Sequence, residues 1–277
     1  MGLLPLVSPP AKATRGEVSD LTIRIADERR RRILERARGA GHIEVTDLAQ
    51  QLDVAAETVR RDLKVLEEHG LLRRTHGGAY PVESAGFESN LARRSASFVA
   101  EKRRIAEATI DQLGDAETVF LDEGFTPQLV AEQLVALGRP LSVVTSSLTS
   151  AALLAASPAL TVIVLGGRVR GHTLGAVDHW ATSMLSDLVI DLAVLGANGL
   201  STERGLSTPD PAVAAVKKTA VAVSRRRVFV GIHTKFGVSS FCRFAEVGDF
   251  EVLITDTLIP AHEAHRYAAL GPTVIRV

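Results

Sequence analysis

The chain has 277 residues, of which 46% are hydrophobic and 23% are charged. This composition is that of a globular protein large enough for two domains, and it excludes disorder over the whole length. Because 32 basic and 32 acidic residues cancel, overall charge does not support nucleic-acid binding, which must be judged from local arrangement. Cys242 is the single cysteine, which excludes an intrachain disulfide and a zinc site built from cysteines.

The first 25 residues combine a brief apolar run with early prolines. They have no leading cationic segment, so a secretion signal is not predicted, and no apolar run in the chain approaches the roughly 20 residues that span a bilayer. We therefore expect a cytoplasmic protein with a flexible extension over residues 1–25.

Residues 26–80 have the order of elements of a winged helix-turn-helix. A helix is predicted over residues 27–39, a short strand over 43–45, and a second helix over 46–52 that the Thr46 hydroxyl caps. The four consecutive arginines at 29–32 must spread around the first helix. They either form a solvated surface or include one or two contacts to the DNA backbone.

The helix that is predicted to end at Gly70 separates an apolar side from a charged side. Val59, Leu63 and Leu66 fall at i, i+4 and i+7 and form the buried stripe. A charged face is also typical of an ordinary solvated helix. Arg60 or Arg61 can instead pair with Asp62 or a neighbouring acid and support the fold. The residues that we expect to meet bases or phosphates in the major groove are Glu57, Thr58, Arg60, Arg61 and Lys64.

A basic hairpin is predicted to follow Gly70, which can adopt the left-handed conformation of a helix C-cap. Residues 71–74 are a short strand in this prediction, and residues 75–78 are a basic tip. A helix followed by such a hairpin suits a DNA groove and its phosphates. We expect Arg73, Arg74 and His76 to secure the wing on DNA.

Beyond a predicted linker over residues 81–97, apolar strand-like runs alternate with helical ones in a second domain, residues 98–277. The strands are predicted at 118–121, 141–144, 160–165, 192–195, 228–230 and 252–254, and the helices at 127–137, 148–156, 182–188, 212–224 and 261–270. This alternation predicts an open, mostly parallel α/β sheet with helices on both sides and strands buried on both faces. Ligands of such sheets lie outside the carboxyl ends of the strands.

Small and polar residues follow four of the predicted strands. After the first strand, backbone amides and the Thr126 hydroxyl stand where a helix begins, a position that suits an anion. Each of the four segments alone is typical of a tight turn. Their convergence at one edge of a sheet predicts a pocket, with candidate residues Asp122, Gly124, Thr126, Ser146, Ser147, Gly167 and Asn198.

Several runs resemble the DeoR family of bacterial transcription regulators over about residues 27–277. In the first domain these are Thr58-Val59-Arg60-Arg61-Asp62-Leu63 and Gly70-Leu71-Leu72-Arg73-Arg74-Thr75-His76-Gly77-Gly78-Ala79. In the second domain they are Glu101-Lys102-Arg103-Arg104-Ile105-Ala106, the four strand-end segments, Gly205-Leu206-Ser207-Thr208-Pro209, Lys217 and Lys235-Phe236-Gly237. The resemblance implies an effector domain similar in fold to ribose-5-phosphate isomerase.

The same resemblance implies a phosphorylated sugar or related metabolite as effector. Its phosphate is expected near Gly124 and Thr126, and Lys217 or Lys235 is available for further anion contacts. Lys235 can equally be a surface lysine beside a turn.

Three positions depart from the family pattern. Val213 stands where the family usually has a carboxylate, Ile232 where it usually has an aspartate, and Ser146 where it usually has an asparagine. Neither valine nor isoleucine can move a proton as a general acid or base. We therefore do not expect an enzyme, and the three changes leave the identity of the effector, and whether one binds, open.

The histidines do not have the spacing of metal ligands with acidic or cysteine partners. We predict no metal and no cofactor. The resulting hypothesis is a sequence-specific, DNA-binding transcription regulator of the repressor type, controlled by a phosphorylated metabolite and assembled as a homodimer or homotetramer. The alternatives are a sugar-phosphate isomerase-like enzyme fused to a DNA-binding module and a ligand-independent DNA-binding protein.

Overall fold

The computed structural model of the protein describes residues 26, 28–37, 40, 42–68, 71–74, 77–81 and 98–277. The chain divides into two compact units, Met1–Pro81 (unit 1) and Val82–Val277 (unit 2). Four predicted features lie outside the described residues. They are the extension at 1–25, the helix cap Gly70, the wing-tip residues Thr75 and His76, and nearly all of the linker.

Unit 1 is a winged helix-turn-helix, as the order of elements predicts. Helix α1 covers residues 28–37. It is followed by β1 Ile43–Glu44, α2 Val45–Leu52, α3 Ala56–Glu68, β2 Leu72–Arg74 and β3 Gly78–Pro81. The three strands form an antiparallel sheet in the order β1-β3-β2.

The predicted apolar stripe of α3 lies in the core of unit 1. Val59, Leu63 and Leu66 are at most 4% exposed, and they belong to one cluster with Ile33 of α1 and Leu48 of α2. Burying side chains of this size stabilises the unit by about 1.5 to 3 kcal/mol each, before the entropy of ordering is subtracted. The stripe therefore decides which side of α3 remains at the surface.

The predicted cap of the second helix is wrong. Helix α2 begins at Val45, its N-cap is Glu44, and no side chain caps it. Because the Val45 amide donates to the Gly77 carbonyl over 2.8 Å, the wing strand supports the first turn, and Thr46 falls inside the helix. The helix then ends at Asp53, which adopts the left-handed conformation with φ 50°.

Unit 2 is built on a seven-stranded sheet in the order β15-β14-β12-β9-β4-β5-β6, in which every pairing is parallel. The strands of the whole unit are β4 Thr118–Leu121, β5 Leu141–Thr145, β6 Leu160–Val164, β7 Arg168–Val169, β8 Ala176–Val177, β9 Ile190–Leu195, β10 Gly199–Ser201, β11 Gly205–Thr208, β12 Ser224–Val230, β13 Cys242–Ala245, β14 Val252–Thr255 and β15 Thr273–Arg276. The predicted α/β architecture is confirmed.

Helices cover both faces of this sheet. They are α4 Val99–Ile110, α5 Phe125–Leu137, α6 Leu148–Leu154, α7 His179–Ser186, α8 Pro211–Val223 and α9 Ala261–Ala268. Successive strand residues enter opposite cores, since Leu192 and Val194 belong to one hydrophobic cluster while Ala193 and Leu195 belong to the other. In the described part of the chain, every helix is too short or too polar to cross a lipid bilayer.

Three features of unit 2 were not predicted. Strands β10, β11 and β13 form a small antiparallel sheet, β7 and β8 form a hairpin, and β15 adds a seventh strand to the main sheet. The expectation that all strands are buried on both faces is wrong for β6, where Ile163 and Val164 are 38% and 41% exposed. The reason is that β6 lies at the edge of the sheet.

Candidate functional site

The outer face of α3 carries the charged residues that the sequence assigns to DNA. Glu57, Arg60, Arg61 and Lys64 are exposed, whereas Thr58 is half-buried. Arg60 lies 3.2 Å from Glu57 and Lys64 lies 3.9 Å from Glu68, with all four side chains more than half exposed. Pairs of this kind contribute little to stability, about 0 to 1 kcal/mol, so both cations can exchange their partner for a phosphate.

Arg61 differs from its neighbours. Its side chain is exposed, and within the described part of the chain no carboxylate is within ion-pair distance of it. An external anion could therefore contact Arg61 without displacing any ion pair of the described residues.

Asp62, the next residue, has the opposite role. It is 1% exposed and accepts hydrogen bonds from Arg29 and Arg30 of α1, the latter over 3.0 Å. The prediction of a wholly solvated arginine run is therefore wrong for these two arginines. Of the alternatives for Arg60, the pair with a neighbouring acid is the one observed, because its partner is Glu57 and not Asp62.

The wing is tied to α3 by one of its arginines. The Arg74 Nε donates to Glu67 over 2.7 Å, and the Arg74 backbone amide donates to the same carboxylate over 3.0 Å. Arg73 lies beside it in β2, whereas His76 lies outside the described residues. Arg74 therefore sets the position of the wing strand relative to α3.

In unit 2, a buried ion pair stands at the carboxyl end of β4. Lys217 of α8 donates to Asp122 and, over 3.1 Å, to the Gly196 carbonyl that follows β9. The Gly196 amide donates to Asp122 over 2.8 Å. Two of the predicted effector residues, Asp122 and Lys217, are thus in direct contact at the ends of adjacent strands.

A second buried group of charges, missed in the sequence, adjoins the first. Glu123 accepts from Thr173 over 2.8 Å and lies 3.5 Å from Arg170. Arg170 also lies 3.2 Å from Asp210, the N-cap of α8. The side chains of Glu123 and Arg170 are each 7% exposed. The only sequence signal for this group is a carboxylate beside Asp122 and an arginine inside a glycine-rich segment.

The start of α5 adjoins this group of charges, and its first turn has no side-chain cap. Gly124 is the N-cap, with φ 121°, and no side chain caps the helix. Thr126 is buried in the first turn. At the end of β5, Ser147 caps α6 by accepting from the Ser150 amide over 3.2 Å, and Ser146 is buried beside it.

The remaining predicted effector residues are more scattered. Gly167 precedes β7 with φ 134°, where an added Cβ would lie 2.2 Å from the Val177 carbonyl oxygen. Asn198 accepts from Thr208 over 3.2 Å. Lys235 ends a short 3-10 helix, His233–Lys235, after β12, and β9 separates β12 from β4.

The positions that depart from the family pattern are core positions. Val213 and Ile232 are 3% and 5% exposed, and they pack in the two hydrophobic clusters of the sheet. Among the described residues, no group of histidine, cysteine, aspartate and glutamate could hold a metal ion.

A buried histidine–aspartate pair at the ends of β12 and β14 was also missed. The His233 Nδ1 lies 2.8 Å from Asp256, and the His233 backbone amide donates to the same carboxylate. Burial raises the pKa of Asp256, but the hydrogen bonds and charge of His233 and the amide of Leu258 outweigh this, so the pKa lies below its usual value. Phe98, which precedes α4, packs edge-on against His233 with ring centroids 5.2 Å apart.

Both units match families of known regulators. A DeoR-like helix-turn-helix domain matches residues 29–85, and a DeoR C terminal sensor domain matches residues 97–257. The HTH-type transcriptional regulator GlpR of Haloferax volcanii is 33% identical over 90% of this chain and 96% of its own length. The glycerol-3-phosphate regulon repressor of Haemophilus influenzae is 30% identical over 82% of this chain and 88% of its own length.

Solved structures are more distant. Ribose 5-phosphate isomerase A from Neisseria gonorrhoeae is 18% identical, covers 50% of this chain and 53% of its own, and has a TM-score of 0.38, which is too low to support a conclusion about ligand or reaction. The family matches and the relatives, by contrast, span both units and confirm the resemblance read from the sequence. The chain belongs to the DeoR family of DNA-binding transcription regulators.

Proposed function

We propose that the protein is a repressor that binds operator DNA through α3 and the wing, and that a phosphorylated sugar or related anionic metabolite controls it from unit 2. It acts in the cytoplasm, where its DNA lies. The observation that carries the DNA part is the division of α3 into a buried apolar side, Val59, Leu63 and Leu66, and an exposed cationic side. On the cationic side, Arg61 has no ion-pair partner among the residues that the structure describes. A helix with this division can enter a major groove while its inner side remains in the core.

Within that face, the proposed DNA contact of each cationic side chain depends on whether the side chain already forms an ion pair with a described residue. Arg61 is available to bind a guanine edge with two hydrogen bonds, which gives roughly 1 to 3 kcal/mol of discrimination. Arg60 and Lys64 exchange their surface pairs with Glu57 and Glu68 for phosphates. Glu57, Thr58, Arg73, Arg74 and His76 complete the proposed DNA contacts.

The proposed effector site is the carboxyl end of the unit 2 sheet. Its support is the buried ion pair of Asp122 and Lys217 beside the uncapped start of α5 at Gly124. Relatives named for glycerol 3-phosphate support a small phosphorylated ligand. A phosphate near Gly124 and Thr126 would accept hydrogen bonds from the free amides of the first turn, where the helix dipole favours negative charge.

We further propose that the protein is a regulator without catalytic turnover. The relatives carry the names of regulators, and two of the three positions that depart from the family pattern, Val213 and Ile232, are buried apolar residues. An aldose-to-ketose assay with ribose 5-phosphate on purified protein tests this, and product formation above background would contradict it.

Subunits are proposed to associate through an apolar surface at the β6 edge, here called the edge patch and defined by Ile163, Val164, Trp180 and Met184. These side chains are 38% to 71% exposed. Trp180 and Met184 lie one turn apart on α7, and the Gly166 amide contacts the Met184 sulfur over 3.2 Å, which joins the helix to the end of β6. We infer that a second copy of the chain binds this surface. Regulators that read two half-sites are symmetric, and the exposed apolar edge of a sheet tends to associate with another chain.

The experiment that tests the proposed function is selection of bound sequences from random duplex DNA by the full chain. A recovered motif with two related half-sites supports an operator-binding dimer, and its spacing gives the distance between the two copies of α3. Recovery of no enriched sequence would contradict the proposal. Adding glycerol 3-phosphate or ribose 5-phosphate to the same selection tests the effector, because an effector must change the amount of DNA recovered.

A further inference from the structure

The segment of residues 166–178, here called the flap, covers the carboxyl end of the sheet and is anchored on Glu123. It contains the β7-β8 hairpin. Thr173 donates to Glu123, and Arg170 approaches the same carboxylate. Gly175 lies so close that an added Cβ would be 1.5 Å from a Glu123 carboxylate oxygen. The Glu123 side chain, two residues after β4, is thus in close contact with three positions of the flap.

Arg170 is the cation that contacts Glu123, and it already forms ion pairs with carboxylates of the protein. Its guanidinium lies between Glu123 at 3.5 Å and Asp210 at 3.2 Å and also donates to Thr173. An arginine that is only 7% exposed is costly to bury unless such partners are present. An anionic ligand that used Arg170 would have to take the place of one of them, and Glu123 is the more deeply buried of the two.

The charges around Glu123 make that exchange sensitive to protons. Asp122 and Asp210 are the other carboxylates of the cluster, and Lys217 and Arg170 are its cations, so one negative charge is in excess when every group is ionised. Burial raises the pKa of Glu123; the charge of Lys217 opposes the rise, Asp122 adds to it, and Thr173 and Arg170 oppose it. With Glu123 protonated the charges of the cluster sum to zero, and one negative charge of a ligand beside Arg170, which keeps Asp210 at 3.2 Å, restores the original balance.

We infer that Glu123 is a built-in competitor for the effector: an anionic ligand binds Arg170 in exchange for the Glu123 carboxylate, which takes up a proton from solvent. This rests on the proposed effector site and adds the residue that sets its selectivity. Because Arg170, Thr173 and Gly175 all belong to the flap, the exchange changes the contacts that hold the flap. A ligand of this kind therefore favours one flap arrangement over another, as control of another activity of the protein by a ligand requires.

Glu123→Gln is the direct test, because glutamine keeps the shape of the side chain but cannot compete as an anion. Binding of glycerol 3-phosphate and of inorganic sulfate to the full chain is measured by calorimetry at about pH 7 and about pH 8.5, where sulfate does not titrate. Using buffers of different ionisation enthalpy gives the number of protons taken up. The control is Glu132→Gln, an exposed glutamate of α5 that pairs with Arg103.

The expected result is that the wild type and Glu132→Gln take up protons on binding and lose affinity as pH rises. Glu123→Gln is expected to lack the proton uptake of Glu123 and, at the higher pH, to bind about tenfold more tightly than the wild type, a difference of about 1.4 kcal/mol. Should Glu123→Gln not fold, Thr173→Ala serves instead, since it removes a hydrogen bond that favours the ionised carboxyl. It is expected to shift affinity in the same direction by a smaller factor.

Two outcomes would overturn the inference, and they differ in whether they also contradict the proposed effector site. Equal affinity and equal proton uptake in the wild type and Glu123→Gln would show that Glu123 does not compete with the ligand. The proposed effector site would still stand in that case. Absence of binding of both anions to both proteins would remove the inference together with the effector part of the proposed function. DNA binding, measured on the same preparations, stands apart from either result.

Discussion

Arg30 Nε donates a hydrogen bond to Asp62 Oδ1 across 3.0 Å, and Arg29 donates to the other oxygen of the same carboxylate. Asp62 is 1% exposed, whereas its chain neighbour Arg61 is at the surface. Two consecutive residues of α3 therefore serve different ends. Asp62 fixes the helix against α1, and we propose that Arg61 binds an external partner.

Replacing Asp62 by alanine is expected to destabilise unit 1. The substitution leaves Arg29 and Arg30, whose side chains are 18% and 28% exposed, without their shared acceptor. Hydrogen bonds to charged groups are worth roughly 1.5 to 3 kcal/mol, and we expect a loss of that size in the free energy of unfolding. Hydrogen exchange of the α1 and α3 amides measures this loss.

The control is Glu68→Ala, which removes only an exposed pair at 3.9 Å. It is expected to change the free energy of unfolding by about 0.5 kcal/mol or less. Equal losses of stability in Asp62→Ala and Glu68→Ala would contradict the role given to Asp62.

The His233–Asp256 pair predicts how unit 2 responds to acid. The folded-state pKa of Asp256 is lowered, so its contribution to stability is fully present above the unfolded value of about 3.9. It is lost as pH falls through the lower folded pKa. Urea denaturation of the wild type and Asp256→Asn, followed by circular dichroism between about pH 6 and pH 2.5, is expected to show a difference in unfolding free energy that shrinks as pH falls. A difference that stays constant over this range would contradict the assignment.

Two glycines of the flap make a matched pair of substitutions. A Cβ at Gly175 would lie 1.5 Å from a Glu123 oxygen, whereas a Cβ at Gly171 would meet nothing within 4 Å. Gly175→Ala is therefore expected to destabilise unit 2 by about 1 to 3 kcal/mol, the usual cost of overpacking, and Gly171→Ala by much less. Thermal unfolding compares the two, and a Gly171→Ala protein that is the less stable would show that the flap does not pack on Glu123.

The edge patch is tested by a charge placed at its most exposed member. Trp180, 71% exposed, is replaced by glutamate, and sedimentation velocity compares the variant with the wild type. We expect the dissociation constant for subunits to rise by at least about tenfold, or about 1.4 kcal/mol. Leu258→Glu, which alters an exposed residue after β14 at the other end of the sheet, should leave association unchanged. A wild-type protein that is monomeric at every concentration would contradict the proposal that the edge patch is an interface between subunits.

The sequence predicted what regular spacing encodes. The i, i+4, i+7 stripe of Val59, Leu63 and Leu66 predicts the buried side of α3, and apolar runs predict six of the strands of the main sheet. Spacing does not encode partners that are distant along the chain. Arg30 and Asp62 are 32 positions apart and Thr173 and Glu123 are 50 apart, and neither pair belongs to a periodic pattern.

Local rules also failed where tertiary contacts decided the outcome. Thr46 is a good capping residue, but the bond from the Val45 amide to Gly77 starts the helix one residue earlier. Strand β6 is as apolar as its neighbours, but its place at the edge of the sheet exposes Ile163 and Val164. The order of strands, which no single run of residues contains, decides that exposure.

The cationic face of α3 is proposed to read operator DNA. This proposal is tested by fluorescence anisotropy of a labelled duplex carrying the selected motif, at several salt concentrations, with the wild type, Arg61→Ala and Arg243→Ala. Arg243 is an exposed unit 2 arginine that pairs with Glu246, so its loss controls for one positive charge. We predict that Arg61→Ala weakens operator binding by roughly 1 to 3 kcal/mol and reduces discrimination against one base pair or lowers the salt slope by about one, while Arg243→Ala binds as the wild type does. Unchanged operator affinity in Arg61→Ala, with α3 still folded, would contradict the claim.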